Sequence, residues 1–142
     1  MREIKFRAWF DGHMYEVAKL DFWGDPDQAT CDMARMSLNE DGNVEEIFEV
    51  YLNEVELMQY TGLKDKNGIE IYEGDIVFAI ATYDCANTVV VWDDGGFVLV
   101  PCKYYKNYIS RCGYKDIRFL DKEVVGNIHE NPELIQQQEQ ED

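Results

Sequence analysis

One run of residues predicts most of the architecture: LMQYTGLKDKNGIEIYEGDIV, residues 57–77. Its centre, Asp-Lys-Asn-Gly at 65–68, has turn chemistry, because Asn and Gly tolerate positive φ and Asp accepts hydrogen bonds from nearby backbone N–H groups. Ile69 and Ile71 then alternate with polar or amphipathic residues, which is the period of a strand with one buried face. Gly74-Asp75 interrupts the pattern before an apolar run begins. The sequence therefore predicts strands separated by glycine corners.

The chain on either side of this run is also rich in strand patterns. Strands are expected near 69–72, 75–83, 87–93, 96–101, 116–120 and 123–128, with a loop or helical turn over 102–115. The residues expected at structural turns are Gly12, Gly62, Gly68, Gly74, Asp75, Gly95, Gly96 and Gly126. Short strands at close spacing with glycine turns favour a small barrel or roll.

The first 60 residues are less regular. Asp11-Gly12 is a two-residue turn, which predicts an N-terminal hairpin. A short helix is expected over 28–37, capped by Asp25 or Asp27 with Pro26 in its first turn. Its apolar positions would be Met33, Met36 and Leu38. Residues 44–60 fit both helix and strand, and we expect strand at least over 55–60.

These patterns predict a mainly β protein in three parts. Residues 1–60 form an N-terminal hairpin followed by a variable, partly helical segment, and residues 61–135 form a β barrel or roll. Residues 136–142 are polar and lack apolar side chains, so we expect a disordered tail.

Composition restricts the class of protein. The chain has 142 residues, of which 46% are apolar, so it can bury a core. It contains no apolar run of membrane-spanning length, and its N-terminus lacks a signal-peptide pattern. We therefore expect a cytoplasmic protein that does not enter a membrane. Its four cysteines form no C-x-x-C pair, which favours reduced thiols over zinc ligands or disulfides.

The net charge is −16, which disfavours binding to a phosphate backbone over most of the surface. Residues 101–122 are the exception, with six basic and two acidic residues and a net charge of +4, against −20 elsewhere. Three interpretations stay open for this segment: it binds single-stranded nucleic acid, it contacts an acidic surface of a second copy, or its tyrosines close the end of the fold. The residues expected at its interaction surface are Lys103, Tyr104, Tyr105, Lys106, Tyr108 and Arg111.

No catalytic, cofactor-binding or metal-ligating residues are predicted. His13 and His129 are interpreted as surface histidines, since no partner for acid–base catalysis is evident beside either. Asp93-Asp94 is interpreted as hairpin geometry rather than as a cation site. Residues 65–76 do not match the spacing of a calcium loop.

Four blocks of sequence together resemble one family. They are MREIKFRAW at 1–9, the run at 57–77, VWDDGGF at 91–97 and EVVGNIHENPEL at 123–134. In this order and spacing the chain resembles the YopX family of small bacteriophage and prophage proteins. Phe10 and His129 depart from the family pattern, where Asp and Tyr are expected.

This resemblance implies an SH3-like barrel or roll in the C-terminal part, homo-oligomers, and no known catalytic residues or cofactor. We therefore expect a non-enzymatic phage or prophage accessory protein that binds itself and a host or phage protein. Its acidic surface could compete for the groove of a nucleic-acid enzyme. The alternative is a nucleic-acid-binding module that uses residues 101–122.

Overall fold

The computed structural model describes residues 3–38, 44–80, 85–93, 95–107, 115–116 and 121–135. The chain forms two compact units, Glu3–Gln59 and a second unit that starts at Tyr60. Both consist mainly of antiparallel strands, which confirms the prediction of a mainly β protein. Among the described residues, no helix is both long enough and apolar enough to cross a membrane.

The first unit is an antiparallel sheet with the strand order β4-β3-β2-β1-β5. Its elements are β1 Phe6–Phe10, β2 His13–Asp21, a 3-10 helix Pro26–Gln28, β3 Thr30–Leu38, β4 Val44–Tyr51, a 3-10 helix Leu52–Glu54 and the start of β5 Glu56–Lys64. The Asp11-Gly12 turn connects β1 to β2, with Phe10 opposite His13. The predicted hairpin is thus one step of a larger sheet.

The core of the first unit lies on one face of this sheet. Ala8, Cys31 and Met33 have no exposed surface and pack with the buried Tyr15. The Tyr15 ring meets the Phe48 ring edge-on, with 5.2 Å between centroids. Phe10 and other half-buried apolar side chains surround these residues. Phe10, where the family resemblance led us to expect Asp, therefore adds apolar surface to this core.

The predicted helix over 28–37 is wrong. Residues 26–28 form a single 3-10 turn that follows Asp25, as expected for a capping residue. The backbone N–H of Asp25 donates to Gln28 Oε1 at 3.1 Å. The backbone becomes extended again at Ala29. Thr30–Leu38 is a strand. Cys31 and Met33, two residues apart, share the buried face, and this period of two overrides the helical spacing of the methionines. Pairing with β2 on one side and β4 on the other satisfies the backbone.

The second unit contains the rest of β5 and a five-stranded antiparallel sheet with the order β10-β9-β8-β7-β11. Its further elements are β6 Glu70–Tyr72, β7 Asp75–Ile80, β8 Cys85–Asp93, β9 Gly96–Pro101, a 3-10 helix Cys102–Asn107, β10 Lys115–Asp116 and β11 Asp121–Asn127. β6 pairs with the end of β5. These strands confirm the predicted elements between 69 and 101 within two or three residues at most ends.

The five-stranded sheet is covered on both faces, because its central strands send apolar side chains in both directions. Val77 and Val90 pack into one cluster with Ile71 and Leu99. Their neighbours Ile76 and Val89 pack into a second cluster with Cys102 and Ile135. A strand buried on both faces reads as a continuous apolar run, which explains the sequence pattern of β7 and β9.

Of the barrel or roll predicted for residues 61–135, a closed barrel is not formed by the described residues. β10 and β11 stand at opposite ends of the strand order, and no pairing joins them in the part of the chain that the structure describes. The predicted tail at 136–142 lies outside the described residues.

Candidate interaction surfaces

The basic residues singled out by the sequence lie on the 3-10 helix Cys102–Asn107. Lys103 Nζ stands 5.1 Å from the centroid of the Tyr104 ring, and Tyr104 is 46% exposed. A cation over an exposed ring contributes about 0.5–1 kcal/mol. Lys106 is exposed on the same helix. We call Lys103, Tyr104 and Lys106 the basic surface.

Tyr105, on the same helix, does not share the exposure of Tyr104. It is half-buried and packs against the core cluster that contains Cys102 and Ile135. For Tyr105, this packing favours the third interpretation of residues 101–122, in which the tyrosines close the end of the fold. Tyr108 and Arg111 lie outside the described residues.

A second surface lies at one end of the first unit, among residues for which the sequence predicted no site. Asp21, Thr30 and Tyr51 form a row of paired residues across β2, β3 and β4. Phe22 and Trp23 follow this row and are 65% and 89% exposed, and Tyr51 is 53% exposed. The N–H of Trp23 donates to Asp21 Oδ1 at 2.9 Å, which fixes the start of the loop. We call Phe22, Trp23 and Tyr51 the aromatic surface.

A groove of about 600 Å³ lies beside Tyr51 at this end of the unit. Its lining residues are Gln28, Thr30, Glu49, Val50, Tyr51 and Glu54. The N–H of Leu52 donates to the carbonyl oxygen of Ala29 at 2.8 Å, so the segments that contain the two 3-10 helices are tied together next to the groove. Only Phe-Trp before Gly-Asp-Pro at 22–26 could have indicated this surface from sequence.

The carboxylate of Asp65 is the most heavily hydrogen-bonded side chain of the turn at 65–68. Oδ1 accepts the N–H groups of Asn67 at 2.8 Å and Ile69 at 2.9 Å, and Oδ2 accepts the N–H of Val124 on β11 at 2.9 Å. The Lys66 N–H donates to the Lys122 carbonyl oxygen at 3.2 Å. The turn therefore closes the outer edge of β11.

Two opposing effects set the pKa of Asp65. Burial of the carboxyl acts to raise its pKa, but the three backbone N–H donors and the charge of Lys66 outweigh this effect and lower the pKa from the ordinary 3.8. Asp65 is therefore charged at neutral pH. Its acceptor positions are engaged by the backbone, so its role in the described structure is to hold the turn.

Gly74 and Asp75 form a second buried corner. Gly74 has φ +85° and joins two elements, since its N–H donates to the Val90 carbonyl oxygen and its own carbonyl oxygen accepts from Ile128 N–H, both at 2.9 Å. Asp75 Oδ2 accepts the Tyr72 N–H at 2.8 Å. This geometry supports the structural role expected from the sequence for this pair.

The other predicted turn glycines differ in their setting: Gly12, Gly68 and Gly95 lie between elements, whereas Gly62 lies inside β5, where the register against β6 shifts. Gly12, Gly62, Gly68 and Gly95 have positive φ. Gly96 begins β9 opposite Asp93, and Gly126 lies where the register of β11 shifts against β7.

Gly126 is required by a close approach rather than by its φ. A Cβ there would lie 2.5 Å from Asn131 Oδ1 and 2.7 Å from its Cγ. That oxygen accepts the N–H of Asn127 at 3.1 Å, so it cannot move away without losing the bond.

We expect Gly126→Ala to lower the free energy of unfolding by about 1–3 kcal/mol, because the added methyl overpacks the contact. Urea unfolding followed by circular dichroism measures the change. Asn131→Ala should cost less stability in the Gly126→Ala protein than in the wild type, because it removes the clash with the added methyl group. Strictly additive effects of the two substitutions would contradict the contact.

The buried thiols of Cys31 and Cys102 lie in surroundings that disfavour the thiolate. Burial raises the pKa of the Cys31 thiol, with the charge of Asp32 adding to the effect, and burial raises the pKa of Cys102 to about 11. Both are free and protonated at neutral pH. His13 is exposed at the start of β2, as expected of a surface histidine. His129 is half-buried and not fully at the surface, and its backbone N–H donates to Asn127 Oδ1. Within the described residues, no three His, Cys, Asp or Glu side chains are grouped as metal ligands.

The chain matches a recognised family of proteins. Residues 5–136 match the family described as YopX protein, which covers most of the chain. The chain belongs to the YopX family, as its four sequence blocks predicted. No curated protein matches this chain.

Two solved structures are similar over nearly their full length. Protein EF1440 from Enterococcus faecalis is 28% identical with a TM-score of 0.58, and the match covers 95% of this chain and 99% of that one. Protein yopX from Bacillus subtilis is 19% identical with a TM-score of 0.56, covering 94% and 98%. The second likeness shows the fold alone. Because both matches cover nearly the whole chain, they include the sheet of the first unit.

Proposed function

We propose that this YopX-family chain is a non-enzymatic phage or prophage accessory protein that acts by binding proteins in the bacterial cytoplasm. The observation that supports this most is the aromatic surface, in which Trp23 is 89% and the adjacent Phe22 65% exposed. Contiguous exposed apolar surface often marks an interaction site, and Trp and Tyr contribute disproportionately to protein interfaces. The phage setting is what the family resemblance implies.

We also propose that the protein is a homo-oligomer in which the basic surface contacts acidic side chains of a second copy. Lys103, Tyr104 and Lys106 stand on a chain with a net charge of −16, so another copy offers abundant acidic surface. Opposite charges across an interface steer association and fix its orientation. Tyr104 adds apolar area to the contact.

Native mass spectrometry tests the homo-oligomer. We expect a mass that is a multiple of 16.6 kDa for the wild type and a shift towards monomer for Lys106→Glu. Lys106→Arg keeps the charge and should retain the wild-type mass. A monomeric wild type would refute self-association. Partner binding is tested separately by comparing the proteins that the wild type and the double variant Phe22→Ser/Trp23→Ser capture from a bacterial lysate.

A nucleic-acid-binding module is the second candidate, favoured by the lysine that stacks on Tyr104 within the basic surface. A gel shift with single-stranded DNA at low salt distinguishes it from the first. A retarded species that disappears with added salt, and with Lys106→Glu, would favour this candidate.

We further propose that the second unit is an SH3-like roll. The consecutive antiparallel pairs β7–β8 and β8–β9, with glycine corners at Gly74 and Gly95, support this topology. A crystal structure tests this proposal: β7, β8 and β9 curled into a roll would support it, and a flat open sheet would contradict it.

A further inference from the structure

We propose that the groove beside β4 binds an extended, basic peptide segment of a partner protein, which adds a strand to the open edge of the first sheet. This assignment deepens the proposed protein-binding function and rests on it. It names the partner's chemistry: an extended segment in which a lysine or arginine side chain lies opposite Glu49.

The first argument is the position of β4. Val44–Tyr51 stands at the end of the strand order β4-β3-β2-β1-β5, and in the described part of the chain no strand pairs with its outer side. An open edge presents N–H and C=O groups that can pair with an added strand. Three of the groove's lining residues, Glu49, Val50 and Tyr51, belong to the second half of β4, and the others belong to β3 and the two 3-10 helices beside it. The groove therefore reaches the edge strand from the end of the sheet.

The second argument is a charge imbalance along one row of the sheet. Lys19 on β2 is paired with Asp32 on β3, and Asp32 is paired with Glu49 on β4. The row therefore has one cation followed by two carboxylates, and paired like charges destabilise a sheet. Glu49 is exposed at the edge and has no ion-pair partner among the residues described. A cation on an added strand, placed opposite Glu49, would restore alternation of charge.

The third argument is the chemistry that surrounds this position. Residues i, i+2 and i+4 of a strand share a face, so Ile47, Glu49 and Tyr51 point to one side of β4. Tyr51 is 53% and Ile47 63% exposed, and Glu54 brings a second carboxylate to the groove. An aromatic ring next to carboxylates suits a guanidinium or ammonium group. Ile47 supplies apolar contact for the next residue of the peptide on that face.

The wider charge pattern favours the same occupant. Residues 24–55 contain nine acidic residues and a single basic one, Arg35. An acidic or neutral peptide would increase the imbalance, whereas a basic segment is attracted at long range and held at the groove. Phe22 and Trp23 lie at the same end of the sheet and extend the contact area for residues that flank the segment.

The test measures binding of synthetic peptides to the full-length protein by fluorescence anisotropy. The probe is an eight-residue peptide that alternates valine with arginine, and its matched controls carry glutamate for arginine or N-methyl groups on alternate backbone nitrogens. We expect saturable binding of the basic peptide, none of the acidic one, and at least tenfold weaker binding of the N-methylated one, because it cannot pair with the edge.

Variants locate the site. Glu49→Lys should weaken binding of the basic peptide at least tenfold, whereas Glu130→Lys, an exposed position in the second unit with the same change of charge, should weaken it less than twofold. Equal effects of the two variants, or no binding to the wild type, overturn the assignment. If native mass spectrometry shows that Glu49→Lys no longer forms the homo-oligomer, the occupant of the groove is a second copy of the chain. That result would also overturn the assignment to a basic peptide of another protein. Because oligomer mass and lysate capture are measured separately, the proposed function stands or falls on those results.

Discussion

Replacing Gly74 with valine is expected to lower the free energy of unfolding by about 3–4 kcal/mol, since a β-branched residue is forced to positive φ at a buried corner. Gly74 has φ +85° and its N–H and C=O bind Val90 and Ile128. Relief of the strain by a change of φ would break one or both of these bonds. For a domain of this size the apparent melting temperature should fall by roughly 10–20 °C.

Gly95→Val is the matched control for this substitution. Gly95 has φ +81°, nearly the same as Gly74, but apart from its chain neighbours no atom of the described residues lies within 4 Å of the position of a Cβ there. It therefore measures the backbone strain without the cost of a buried corner. We expect Gly95→Val to cost only about 1–2 kcal/mol. Thermal and urea unfolding of both variants, followed by circular dichroism, give the comparison.

If Gly74→Val and Gly95→Val lowered the free energy of unfolding by equal amounts, the buried corner at Gly74 would contribute nothing to stability beyond the backbone strain. A folded Gly74→Val protein with wild-type stability that no longer captures partners would instead assign Gly74-Asp75 to binding, the other role that a glycine between two carboxylates can have.

The strands of the second unit could be predicted because their signals are local. Ile69 and Ile71 alternate with polar neighbours, and the continuous apolar run of β7 follows from burial on both faces. Glycine turns separate these strands, so each element is delimited by residues next to it in sequence. The turn at 65–68 was likewise visible from its own four residues.

The first unit was harder to predict because its structure depends on distant partners. Met33 and Met36 have helical spacing, yet β3 is a strand because β2 and β4 flank it. Its local pattern of two, Cys31 and Met33, is too short to exclude the helix without those partners. Strand propensity is a matter of tertiary context more than of intrinsic preference.

The candidate binding surface illustrates the same limit. Glu49 and Tyr51 are ordinary strand residues in the sequence, and their significance comes from the position of β4 at the edge of the sheet. Edge position is a property of strand order, which no residue of β4 encodes alone. The basic segment at 101–122, in contrast, is evident from its composition alone. Composition did not indicate that Tyr105 packs against the core.

Asp65→Asn is expected to lower the free energy of unfolding at pH 7 by about 3 kcal/mol, because the amide replaces one carboxylate oxygen with a donor. The carboxylate accepts three backbone N–H groups, including that of Val124, 59 positions further along the chain. Hydrogen bonds to charged groups contribute about 1.5–3 kcal/mol each, and a buried N–H left unpaired adds a further cost. Asn67→Ala removes only an exposed side-chain bond of 3.3 Å to Glu123 and should cost less than about 1 kcal/mol.

The pH dependence of this difference gives a more specific test. The folded-state pKa of Asp65 lies below its ordinary value of 3.8, so the unfolded chain binds its proton first as the pH falls. The contribution of the charged form is complete above about pH 5 and is lost as the pH falls through the lower folded-state pKa. Urea unfolding of wild type and Asp65→Asn between pH 7 and pH 2 should therefore give curves that are parallel above about pH 5 and converge below it. Curves that stay parallel down to pH 2 would show that the charge of Asp65 contributes nothing to holding the turn at 65–68 against β11.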